Sequence, residues 1–113
     1  MLFNISERLR VFAILPLQGD ISTLRTIQEL RNEFSFSSEE EDKVGLKITP
    51  EDGKATWKPE ADFMKEIPLD NASLKVICEA LSELDRKRLL HITYLELYDR
   101  FMQEKKSRDN EKK

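Results

Sequence analysis

The sequence predicts one mainly helical α+β domain, with two helix pairs flanking a small antiparallel β-hairpin or three-stranded sheet. Three observations lead there. Apolar residues recur at helical spacing near both ends of the chain. The middle switches to short alternating runs broken by Pro and Gly. The length, 113 residues, suits one ordinary domain.

The first helix is expected over Ile5 to Leu15. Asn4 can cap it, and Glu7, three residues on, can return the bond. Ile5, Leu9, Phe12 and Ala13 form its apolar face, and Pro16 and Gly19 end it. A second helix, Ile21 to Phe34, is capped by Asp20 or Ser22. Its stripe is Ile21, Leu24, Ile27, Leu30 and Phe34. The short Pro-Leu-Gln-Gly link makes the two an antiparallel pair. A short third helix follows, boxed by Ser37 with Glu40 or Ser38 with Glu41 and stopped at Gly45.

Leu46-Lys47-Ile48 and Lys54-Ala55-Thr56-Trp57 alternate about a Pro50-Glu51-Asp52-Gly53 turn, the pattern of a hairpin. Met64 to Leu69 can add a third strand, confined to an edge by Pro68. A fourth helix spans Ala72 to Lys87. Asp70 or Asn71 caps it, and it buries Leu74, Ile77, Cys78, Leu81 and Leu84. Thr93 with Glu96 reads as the box opening a fifth helix to about Glu104, with Leu95, Tyr98, Phe101 and Met102 inward. Residues 1 to 104 form the domain, and 105 to 113, which carry no apolar side chain, form a charged, disordered tail.

The composition also limits function. Nineteen basic residues stand against 22 acidic ones, a net charge of −3. No apolar run reaches the ~20 residues of a membrane helix, and the start lacks a secretory pattern. A cytoplasmic setting without membrane contact is expected. Cys78 is the only cysteine and His91 the only histidine, too few nitrogen and sulfur ligands for a zinc site. Cys78 falls on an apolar stripe and His91 in a connector, so the ordinary reading of both is structural. The three glycines are scattered and make no phosphate loop. The expectation is a protein with no enzymatic activity, no cofactor and no metal.

The aromatic residues carry the positive signal. Trp57, Phe36 and Phe63 lie off the helical stripes, on short elements where a large ring is either a core plug or a binding anchor. Read as anchors, they define a surface for another protein or for a second copy of the chain. Glu39, Glu40, Glu41 and Asp42 would then steer a basic partner. The alternative is a helix-turn-helix-like nucleic-acid regulator using Arg86, Lys87, Arg88 and the basic tail. Against it, residues 61 to 113 balance at eleven basic and eleven acidic, and residues 1 to 60 are acidic at eight against eleven. A phosphate backbone favours a basic face of one sign.

Phe12-Ala13-Ile14-Leu15-Pro16 through Gly19-Asp20, Thr23-Leu24-Arg25, Phe34-Ser35-Phe36-Ser37, Thr56-Trp57 and Leu95-Glu96-Leu97-Tyr98-Asp99-Arg100-Phe101 form one pattern along the chain. This pattern resembles a group of short uncharacterised bacteriophage and prophage proteins. The resemblance covers most of the chain to about Phe101 and carries over no functional residue. It implies an accessory protein of a phage or mobile element in a bacterial host. Small acidic proteins of this style include inhibitors that occupy the basic grooves of nucleic-acid-handling enzymes.

Overall fold

The computed structural model describes residues 1–49, 51, 54–58 and 63–111. In order, the elements are β1 (Leu2–Phe3), α1 (Ile5–Ile14), α2 (Ile21–Phe34), α3 (Ser38–Val44), β2 (Lys47–Ile48), β3 (Ala55–Thr56), β4 (Lys65–Glu66), α4 (Asn71–Arg86) and α5 (Leu95–Glu111). The architecture is the expected helix-dominated α+β domain. Most of the expected Pro50–Gly53 turn lies outside the described residues.

Local side-chain chemistry sets the helix starts. Asn4 and Glu7 form a capping box on α1, and Ser37 and Glu40 form one on α3. Asp20 and Asp70 accept from Thr23 N–H and Ser73 N–H at the starts of α2 and α4. These bonds to the charged form hold both carboxyls below their ordinary value.

The ends of α3 and α4 share one geometry. After α3, Gly45 turns left-handed at φ 66, and Leu46 N–H reaches back to Glu41 O at 2.9 Å. After α4, Arg88 takes the same turn at φ 59, with Arg88 N–H on Asp85 O and Leu89 N–H on Leu84 O. Gly45 meets the conformational demand without a Cβ, whereas Arg88 meets it with one.

The core lies where α4 packs against α1, α2 and α5. Leu74, Ile77, Cys78 and Leu81 of α4 meet Val11, Ile27, Leu30, Leu97 and Phe101. Phe3 closes one side. Its ring sits 5.0 Å from that of Phe34 and 5.8 Å from that of Phe101, which joins α2 to α5.

Several expectations are corrected. Two two-stranded antiparallel sheets replace the three-stranded one. β2 pairs with β3, Lys47 facing Thr56, as the alternation predicts. β4 instead pairs with β1, Leu2 facing Glu66 and Phe3 facing Lys65. Burying Phe3 between the two helix-borne phenylalanines draws the segment before α1 onto β4. The buried face of α1 is Ile5, Arg8 and Val11, while Ala13 is exposed. Ile21 and Leu95 also point outward, because each begins its helix at an end of the bundle. No Thr93–Glu96 box opens the fifth helix. A 3₁₀ turn, Ile92–Tyr94, precedes α5, and His91 Nδ1 accepts from Thr93 N–H at 3.2 Å. α5 itself runs to Glu111, where the composition predicts a tail from Lys105. Arg108 supports this extension by bonding Glu104 one turn earlier and Asn71 at the start of α4.

Candidate partner-binding groove

The sequence singles out Phe36 and the acidic run after it, and the structure ties both to a residue the sequence reading passed over. Arg8 is completely buried. Its Nη1 donates to Glu40 Oε2 at 2.8 Å, its Nη2 donates to Ser35 O, and its guanidinium lies 3.8 Å from the centre of the Phe36 ring. Among the described residues Arg8 Nε makes no hydrogen bond. Glu40 also closes the α3 capping box through Ser37 N–H, and Lys65 Nζ of β4 stands 3.8 Å away. Partial burial pushes the Glu40 carboxyl upward. The Arg8 bond, the Ser37 N–H and the Arg8 and Lys65 charges outweigh that and hold it at about 2. Glu40 is therefore a structural anion and is removed from the steering set.

Beside this node runs an apolar groove of about 190 Å³. It is lined by Leu9 and Phe12 of α1, by Phe34, Ser35 and Phe36, by Glu41 of α3, and by Leu46 and Ile48. Ile48 is 57% exposed. Glu39, Glu41 and Asp42 are exposed and make no ion pair among the described residues. The Arg31 guanidinium lies 4.5 Å from the centre of the Phe12 ring.

The structure does not bring the three sequence-selected aromatics to one exposed patch. Phe36, Trp57 and Phe63 are each half-buried. Only Phe36 lines this groove. Phe63 lies under Lys43 Nζ, 5.3 Å from the ring centre. Trp57 follows β3, next to Lys58, whose N–H bonds Val44 O.

The basic trio of the alternative reading is split. Arg86 and Lys87 both pair with Glu83, and Arg88 makes no ion pair among the described residues. Cys78 is 1% exposed with its Sγ 3.7 Å from Phe101 O, and burial pushes its thiol up. His91 is exposed and bonds Thr93. Among the described residues no group of three or more His, Cys, Asp or Glu side chains is placed to hold a metal. Among the same residues no helix is long and apolar enough to cross a membrane.

One feature of the surface escaped the sequence reading. Leu89, Ile92 and Leu95, at the α4–α5 connection, are 66%, 79% and 57% exposed. Their presence in or beside a short polar connector was the available signal.

No family model, curated protein or solved structure matches the chain.

Proposed function

We propose that the protein is a non-enzymatic binding module that docks on another protein through the groove between α1, α3 and β2. The occupant is a basic segment carrying an apolar side chain. The groove takes the apolar side chain, and Glu41, with Glu39 and Asp42 on the same short helix, attracts the flanking cations. The observation that carries this reading is the pairing of an apolar groove with carboxylates that make no ion pair among the described residues. Arg8 and Glu40 brace the groove by fixing Phe36, so the site is formed before the partner arrives. Resemblance to phage and prophage proteins supports a host or viral partner. Nucleic-acid-handling enzymes present such basic surfaces, and inhibition by occupying one is the role that this charge favours.

The test is capture from bacterial lysate with mass spectrometry, followed by purified-partner titration. Wild type is compared with Ile48→Ser and Glu41→Lys, two exposed positions whose replacement leaves the core intact. A basic protein retained by wild type, lost by both variants and released by salt supports the proposal. Equal retention by all three chains overturns it.

A further inference from the structure

An open strand edge borders the groove. β2 belongs to a two-stranded sheet whose other member is β3. Thr49 N–H donates to Lys54 O at 2.8 Å, and Lys47 faces Thr56. Residue pairs in an antiparallel ladder alternate between hydrogen-bonded and non-bonded. Lys47 and Thr49 therefore turn their backbone groups toward β3, and Ile48, between them, turns its N–H and C=O away. Among the described residues neither group of Ile48 has a hydrogen-bond partner, and no donor reaches Leu46 O. Ile48 is 57% exposed, and Lys47 and Thr49 are exposed too, so this edge meets solvent.

The side chains of the same edge belong to the groove. Alternation puts Leu46 and Ile48 on one face of β2 and Lys47 and Thr49 on the other. Leu46 and Ile48 both line the groove, and Glu41 is the one charged residue in its lining among the described residues. Glu41 O also holds Leu46 N–H at 2.9 Å, which ties the acid to the Leu46 end of β2. Cations nearby are engaged elsewhere. Arg8 holds Glu40, Arg31 lies on the Phe12 ring and Lys43 on the Phe63 ring.

We infer that the occupant of the groove is an extended basic segment of another protein that adds to the free edge of β2 as an antiparallel strand, a reading that rests on the groove as the docking site and fixes the conformation and register of what fills it. A helix covers the apolar surface but leaves Ile48 N–H and C=O desolvated and unpaired, which is costly. An extended chain satisfies both, and the antiparallel sense is the more stable per residue. The partner residue opposite Ile48 donates its N–H to Ile48 O and accepts from Ile48 N–H. Its side chain falls on the Ile48 face, so it is the apolar one that enters the groove. The second residue after it lies opposite Leu46, donates to Leu46 O and shares that face. Glu41 makes this the place for lysine or arginine. The residue between them points to the Lys47 face and is not basic. The recognised pattern is apolar, any non-basic residue, then basic.

Peptides of about ten residues test this, with one leucine and one lysine at that spacing in a threonine and serine background. The full wild-type chain is used throughout, so no arm depends on a variant folding. The parent peptide is expected to bind with a Kd below ~1 mM. Moving the lysine one position, onto the other face, is expected to weaken binding at least ~5-fold. N-methylation of the leucine amide removes the N–H given to Ile48 O and is expected to weaken binding at least ~10-fold. N-methylation of the next amide, which points away from β2, is expected to leave Kd within ~3-fold. Hydrogen exchange at Ile48 N–H is expected to slow at least ~10-fold in the saturated complex. A parent peptide that does not bind at ~1 mM overturns the inference. So does N-methylation whose effect ignores position, and so does an Ile48 N–H that exchanges as fast bound as free. Equal lysate retention by Ile48→Ser and Glu41→Lys removes the groove itself, whereas a flat N-methyl scan on a peptide that binds removes strand addition and leaves the groove.

Discussion

Arg8 and Glu40, 32 positions apart in sequence, are joined by a 2.8 Å charge-assisted hydrogen bond with the arginine wholly buried. The bond connects α1 to α3, and the same guanidinium carries the Phe36 ring and the Ser35 carbonyl. Removing one partner strands the other. Arg8→Ala is expected to cost about 3 kcal/mol, the low end for a broken buried pair because Glu40 keeps some contact with water. Arg8→Met combined with Glu40→Gln is expected to cost less than the sum of the two single changes. Urea unfolding of wild type, Arg8→Met, Glu40→Gln and the double variant gives the comparison.

The same pair predicts an acid response. The folded carboxyl of Glu40 sits at about 2 against an ordinary 4.5, so its contribution to stability is complete above about 4.5 and is lost as pH falls toward 2. Asp20 and Asp70, also lowered, act in the same direction. The stability advantage of wild type over Glu40→Gln is expected to shrink steadily between pH 5 and pH 2. A constant gap across that window contradicts the assignment.

Arg88→Gly is expected to raise stability by up to ~1 kcal/mol, since glycine takes the left-handed position without a Cβ clash. The gain appears as a higher urea midpoint at unchanged slope.

Gly45→Ala is expected to lose ~1–2 kcal/mol. Its φ of +66° disfavours a side chain, and an added Cβ falls 2.8 Å from Lys58 Cγ. The lysine stem can swing away, so the backbone sets most of the loss, read as a lower urea midpoint.

Cys78 is expected to resist a thiol reagent in the folded protein, reacting at least ~100-fold slower than in denaturing urea. Its 1% exposure and its raised pKa both protect it. Rapid modification of folded protein contradicts the buried placement.

What the sequence revealed was what neighbours decide. The Asn4–Glu7 and Ser37–Glu40 boxes, the Asp20 and Asp70 caps, the Gly45 stop and the β2–β3 hairpin each rest on residues a few positions apart, and all appear where expected. Distant partners decided the rest. Arg8, which nothing in the local pattern singles out, gains its role only where Glu40 and Ser35 surround it. Leu2 and Phe3 lack the length of a strand until β4 lies beside them. Within the candidate groove, Phe36 and Glu41 were visible as an aromatic and an acid off the stripes. Leu9, Phe12 and Ile48 joined them only through packing.

The clasp on Phe3 bears on how the chain is made. Its ring waits for Lys65 to build the sheet and for Phe101 to complete the stack. A nascent chain emerging from the ribosome holds this side chain in water until residues 65 to 101 have followed it. The domain therefore closes as one cooperative event only once Phe101 has been made, and fragments that stop short of Phe101 remain open and attractive to chaperones.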